Sequence, residues 1–146
     1  MSTNSHITSD VEQCELITLD KHTHENGNLS VIENGLHVPF DIKRVYYLYD
    51  IPGGEERGGH SHHECHELII AVSGSFNVEI DDGVKKRVVT LNRSNVALHA
   101  HPGIWRTLNN FSSGSICLVL ASDKYCEADY VREYDDFKSL TKNKKK

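Results

Sequence analysis

The sequence predicts an all-β domain, a sandwich or barrel of short strands with one short helix at its C-terminal end. Three observations lead there. Short runs rich in aromatic and β-branched residues recur along the chain, Gly, Pro, Asn and Ser clusters separate them, and helical spacing is confined to the last stretch. Residues 43–51 (KRVYYLYDI) read as a strand that ends at Pro52-Gly53-Gly54, and residues 67–73 as another closed by Gly74. Phe76, Val78 and Ile80 then alternate with polar neighbours, Asp81-Asp82-Gly83 turns the chain, and residues 87–91 return, which is a hairpin signal. Residues 96–99, 105–108 and 115–121 supply further strands. Residues 127–140 read as the helix, because Tyr130, Tyr134 and Phe137 are spaced to share one face.

A chain of 146 residues suits one domain with a modest core. Residues 1–12 read as a flexible polar segment, 13–140 as the domain and 141–146 as a basic, solvated tail. Apolar residues make up 38% and charged residues 25%, a soluble balance. The apolar run 116–121 is far too short to cross a bilayer, and the N-terminus carries no secretory signature, so a cytoplasmic protein without a membrane partner is expected. The formal charge of −5 argues against a general nucleic-acid binder, while leaving room for a small anion held by a few arginines. Cys14, Cys65, Cys117 and Cys126 are scattered without a CxxC pair, so reduced thiols are expected rather than a disulfide framework or zinc ribbon.

Chemistry concentrates in residues 59–67, where His60, His62, His63 and His66 stand beside Glu64 and Glu67. On an extended segment residues two apart point the same way, so His60 and His62 share a face, and a following turn brings Glu67 towards them. His63 and His66 read as exposed loop histidines. The spacing Gly54-x5-His60-x-His62-x4-Glu67-x6-Gly74 matches the first cupin signature at every position, which makes the sandwich a single cupin domain of the double-stranded β-helix, or jelly-roll, type.

The second cupin signature normally adds a histidine after a Pro-Gly turn. Here Pro102-Gly103 is followed by Trp105 and then Arg106, which offers a metal no lone pair. A cation on His60, His62 and Glu67 would face that fixed positive charge, so an anionic ligand suits the site better. His99 and His101 could restore a metal site from a neighbouring strand. Trp105 reads as core or pocket wall.

The sequence resembles the dTDP-4-keto-6-deoxyglucose 3,4-ketoisomerases, small cupin sugar isomerases that serve amino-sugar synthesis for bacterial surface polysaccharides such as O-antigen. The resemblance runs from about Leu16 onward and rests on residues 42–62 (IKRVYYLYDIPGGEERGGHSH), 71–83 (AVSGSFNVEIDDG), 102–106 (PGIWR) and 110–137 (NFSSGSICLVLASDKYCEADYVREYDDF). It implies a metal-independent reaction with no cofactor on a dTDP-linked 4-keto-6-deoxy sugar, and a homodimer. The family's HxH motif falls on His60 and His62, which it implies are proton acceptor and donor, in an order the sequence does not assign. Imidazole suits that work near neutral pH. Arg44, Arg57 and Arg132 lie in matching motifs and suit a diphosphate. Arg44 and Tyr46 share a strand face, so the tyrosine would stand beside the ligand; surface charge and packing are the alternative for both. Arg106 is assigned to the substrate as well. Two departures stand out: Glu67 replaces a glutamine common in relatives, and Asn26 is unusual in its turn. Arg106 in place of histidine favours a gluco over a galacto product. A dioxygenase-like metal cupin using His60, His62 and Glu67, and a non-catalytic sugar-binding cupin, are the competing functions.

Overall fold

A computed structural model describes residues 9–142; the segment before them and residues 143–146 of the basic tail lie outside the described residues. Two five-stranded sheets pack face to face. The first has the order β1 (Leu16–Thr18), β9 (Val96–Ala100), β6 (Glu67–Ser73), β11 (Ile116–Ala121), β4 (Arg44–Leu48). The second has the order β12 (Tyr130–Val131), β5 (Arg57–His62), β10 (Trp105–Asn109), β7 (Phe76–Asp81), β8 (Lys86–Leu91). A separate ribbon pairs β2 (His22–His24) with β3 (Gly27–Leu29), and one helix, α1 (Tyr134–Thr141), closes the described chain. Every strand pair is antiparallel. The all-β sandwich with a short C-terminal helix is therefore the observed architecture.

Strand periodicity explains the layers. Ile69 and Ala71 of β6 and Cys117 and Val119 of β11 point between the sheets, where they meet Phe76, Val78 and Ile80 of β7 and Leu108 of β10. Their neighbours Leu68, Ile70 and Leu120 point the other way and are covered by Ile32, Val38, Phe40 and Ile42. The first sheet is thus buried on both faces at its centre, which is why β6 and β11 read as continuous apolar runs rather than alternating ones. At the edge strand β4 the alternation returns: Arg44, Tyr46 and Leu48 are half-buried, while Val45 and Tyr47 are exposed.

Two elements differ from the sequence expectation. Residues 127–133 are not α-helical: a single 3-10 turn (Glu127–Asp129) leads into β12, and the α-helix begins only at Tyr134. Tyr134 and Phe137 do share a helix face, and Trp105 packs against both at 5.3 and 5.7 Å between ring centroids. Trp105 therefore lies under α1 and does not line the pocket. Residues 10–13 also have structure. Asp10 caps a 3-10 turn over Val11–Gln13, Val11 is buried, and its backbone N–H donates to Asp82 Oδ2 in the β7–β8 turn.

The glycines that bracket the histidine motif serve different ends. Gly54 has φ +84° with open space where a Cβ would stand. Gly74, at φ +72°, would place a Cβ 2.5 Å from Ser115 Oγ and 2.9 Å from Ser115 Cα. Gly54→Ala should cost only the left-handed backbone penalty of about 1–2 kcal/mol. Gly74→Ala adds overpacking and should cost about 2–4 kcal/mol, as read from urea unfolding of the two variants side by side.

Candidate active site

The site lies between the sheets and takes one wall from each. In the second sheet β5 carries His60 and His62, with His60 paired to Arg106 on β10 and His62 paired to Tyr130 on β12. In the first sheet Glu67 opens β6, flanked by Ala100 and Ala121, small residues that leave its side chain room. The two walls are joined by an ion pair: Arg106 Nη1 donates to Glu67 Oε1 at 2.8 Å. The other Glu67 oxygen accepts from Tyr46 Oη at 2.9 Å. Arg106 also donates to the carbonyls of His101 and Ile104, so each guanidinium nitrogen has an acceptor inside the protein.

The two histidines share a face as expected, their rings meeting edge to face at 4.8 Å between centroids. Their surroundings differ. His60, 7% exposed, lines a cavity of about 290 Å³, and its Nε2 has no hydrogen-bond partner among the described residues. His62, 1% exposed, lies behind it, with Nδ1 2.9 Å from Asp129 Oδ2. That carboxylate also accepts from the backbone N–H groups of Glu64 and Cys65, so Nδ1 of His62 is the donor. Its Nε2 lies 3.5 Å from Glu67 Oε2, longer than a well-formed hydrogen bond.

These contacts set the electrostatics. Burial alone would raise the Glu67 carboxyl, but the neighbouring His62 and the Arg106 guanidinium outweigh it and hold the group well below the usual carboxylate range. Burial, followed by the charge of Arg106, lowers His60 to about 3, so its ring is neutral at physiological pH. Burial and then Glu67 push the Tyr46 hydroxyl upward, which keeps it a donor.

The pocket also gathers cations. Arg44, Tyr46, Arg57, Arg106 and Arg132 all line it with His60. Arg44 Nη1 donates to Tyr130 Oη at 3.2 Å, and its Nε is buried without a partner. Arg57 is exposed at the mouth and has no ion-pair partner among the described residues. Arg132 stacks over Tyr130 at 4.2 Å and is held by Glu127 through two hydrogen bonds of 2.6 and 2.9 Å.

His60, His62 and Glu67 are close enough together to hold a metal ion. The donor set does not fit one. Both Glu67 oxygens already accept hydrogen bonds, and Arg106 fixes a positive charge against them. His99 and His101 do not complete this site, because they project from the other face of the first sheet beside His66.

A protein-family model described as FdtA: WxcM-like, C-terminal matches residues 12–142. The chain belongs to this family. A curated relative, the TDP-4-oxo-6-deoxy-alpha-D-glucose-3,4-oxoisomerase of Aneurinibacillus thermoaerophilus, is 40% identical over 124 residues, covering 85% of this chain and 89% of that one. Among solved structures, a 3,4-ketoisomerase from Thermoanaerobacterium thermosaccharolyticum has a TM-score of 0.89 at 33% identity over 92% of this chain and 98% of the other. That protein is a histidine-to-asparagine variant in complex with TDP-4-keto-6-deoxyglucose. A 3,4-ketoisomerase from Helicobacter canadensis has a TM-score of 0.86 at 37% identity over 89% and 98% of the two chains.

Of the residues singled out by sequence, His60, Arg44, Tyr46, Arg57, Arg106 and Arg132 come together around one cavity, with His62 directly behind. Arg106 differs from its expected role in one respect: its hydrogen bonds run inward to Glu67 and backbone carbonyls. His63 is exposed as expected, whereas His66 is half-buried and bonded to His99. Sequence reasoning missed Asp129, Tyr130 and Tyr125, the last lining the cavity with its ring centroid 5.6 Å from the Arg44 guanidinium. The Asp129-Tyr130-x-Arg132 stretch was a signal for Asp129 and Tyr130, but the helical reading of residues 127–133 concealed that Tyr130 sits in a strand beside His62.

The central ion pair has a measurable signature. Arg106→Leu leaves Glu67 buried without its partner and should destabilise the fold by about 3–5 kcal/mol. Replacing both, Arg106→Leu with Glu67→Leu, should recover most of that loss in denaturant unfolding.

Proposed function

We propose that this cavity isomerises a dTDP-linked 4-keto-6-deoxyglucose to the 3-keto-6-deoxyhexose by proton transfer, making the chain a sugar-nucleotide 3,4-ketoisomerase. The observation that carries the reading is a buried, neutral His60 at the wall of a cavity rimmed by arginines. Membership of the family and the activities named for its relatives support it.

Moving a ketone from C4 to C3 relocates two protons and no net electrons. One hydrogen leaves C3, whose acidity comes from the adjacent carbonyl, and one arrives at C4; a second proton passes from O3 to O4. An enediol-like species lies between, and no redox cofactor is required. Two proton relocations suit two histidines with different surroundings. His60 is the one that meets the substrate, so it takes the proton from C3 and returns it at C4. Its low proton affinity in the free enzyme keeps the lone pair available, and the anionic substrate raises that affinity on binding. His62, oriented by Asp129, serves the oxygen-bound proton, with Tyr130 packed beside both rings as a wall.

The diphosphate is held at the mouth by Arg44, Arg57 and Arg132, with Arg132 exchanging Glu127 for phosphate oxygens. Arg106 acts from within, fixing Glu67 and through it Tyr46. Its presence where histidine is the alternative favours the gluco product. The protein works as a homodimer, a reading supported by the β2–β3 ribbon, whose residues are all exposed and pair only with one another. Asn26 lies at the tip of that ribbon, so it would act on a partner's site rather than its own. No helix among the described residues is long and apolar enough to cross a membrane. A cytoplasmic enzyme that supplies amino-sugar synthesis for surface polysaccharide is consistent with this chemistry.

Incubating the protein with dTDP-4-keto-6-deoxyglucose in heavy water should form a 3-keto product carrying deuterium, seen by NMR, with the gluco configuration at C4. His60→Asn should reduce turnover by about a hundredfold or more and abolish carbon-bound exchange. His62→Asn should slow product formation comparably while retaining slow exchange at C3. Asp129→Asn should cost roughly ten- to a hundredfold. Normal exchange in His60→Asn would exclude His60 as the base that moves the proton between the two carbons.

A further inference from the structure

Three histidines lie together on the opposite face of the first sheet from the cavity. Antiparallel pairing of β6 with β9 sets Glu67 against Ala100 and Leu68 against His99, and extending that register by one residue sets His66 against His101. Glu67 points between the sheets, so His66 before it points outward. His99 and His101, two apart, point outward with it.

The side chains converge. His66 Nδ1 and His99 Nε2 are 2.9 Å apart, and the rings of His99 and His101 stack at 4.0 Å between centroids. The ring of His66 lies 5.3 Å from that of His101. One ligating nitrogen from each histidine falls within 4.8 Å of the other two. Adjacent nitrogens of a four- or six-coordinate site with bonds of about 2.0–2.1 Å stand roughly 3 to 3.4 Å apart, so one pair is already close and His101 needs a side-chain shift of about 1–2 Å. Phe40 covers the rings of His66 and His99, while His66 and His101 remain half-exposed and leave a path for an ion.

We infer that His66, His99 and His101 form a second site, separate from the isomerase cavity, that takes one divalent transition-metal ion of the zinc class. Three neutral imidazoles with the remaining positions open to water are a donor set that zinc accepts, and nickel and copper share the preference. Burial is the first cause that lowers the proton affinity of all three rings; neighbouring histidines lower His66 and His99 further, while at His101 a hydrogen bond with the Gln13 backbone works the other way. In the empty cluster one ring nitrogen donates to another, and coordination moves that proton to the ring's second nitrogen without changing its charge. The surrounding field is mixed. Glu15 faces His101 and Asp123 faces His66, both favouring a cation, whereas Arg106 opposes it from beneath the sheet. The Arg106 charge is already matched by Glu67 at 2.8 Å, which weakens the opposition. Bound metal would tie the segment before β6 to the end of β9 and so brace the strand on which Glu67 stands.

Isothermal titration of the full chain with zinc chloride tests this, using protein first stripped with a chelator. One equivalent should bind and raise the melting temperature. In His66→Ala, and independently in His101→Ala, the affinity should fall about a hundredfold and the rise in melting temperature should vanish. Both side chains are half-exposed and outside the cavity, and Arg106 meets only the backbone carbonyl of His101, so metal-free isomerase turnover should stay unchanged and verify the fold of each variant. His62→Asn, which removes the histidine shared by the other two metal-like clusters, should still bind zinc as the parent does. Absence of saturable binding, survival of binding in both alanine variants, or its loss in His62→Asn would each overturn the assignment.

Discussion

The contact between Glu67 and Arg106 constrains everything around it. It spans the sandwich from β6 to β10 and buries two opposite charges at the wall of the cavity. Desolvating both groups is costly, and the structure meets that cost with further bonds: Tyr46 to the carboxylate, the carbonyls of His101 and Ile104 to the guanidinium. The result is a rigid polar floor beneath the histidines. A single charge left there would draw water or an ion into the cavity. The matched pair leaves a site in which an imidazole can stay neutral and unpartnered.

That floor separates two residues that look equivalent in sequence. His60 and His62 point the same way from β5, yet one strand neighbour of His60 is Arg106 and that of His62 is Tyr130. The first histidine opens on the cavity beside a fixed cation. The second is enclosed, with a carboxylate on its Nδ1 side. Distinct surroundings follow from position along one strand. The same ion pair turns a metal-ligand geometry into one unsuited to metal, since it sets the fixed charge of Arg106 2.8 Å from the carboxylate that a cation would need.

Much of this was legible in the chain. Period-two alternation and turn residues located β4 and β6 to β11 to within a residue or two at most ends, and the glycine-to-glycine spacing located the histidine pair on a segment that reads only as extended and forms β5. The face shared by Arg44 and Tyr46 followed from the pleat. What was not legible depended on contacts between distant segments. Tyr130, Tyr134 and Phe137 have helical spacing, but pairing of residues 130–131 with β5 overrode it and brought Asp129 to His62. The short strands β1, β2 and β3 carry too few alternating residues to announce themselves. The direction of Arg106 was set by Glu67, which is 39 residues away. His66 looked like a loop residue because only the register between β6 and β9 shows it meeting His99 and His101.

Burial and the Arg106 charge together keep His60 neutral and ready to accept a proton, and the proposed chemistry rests on that state. Titration of its ring by nitrogen-edited NMR in the free protein reads the state without substrate. A group whose proton affinity is lowered on folding stays neutral as pH falls through the ordinary histidine range, so His60 should show no protonation between pH 7 and about 5, with its midpoint toward 3. A midpoint near the unperturbed value of about 6.5 would contradict a neutral, desolvated His60.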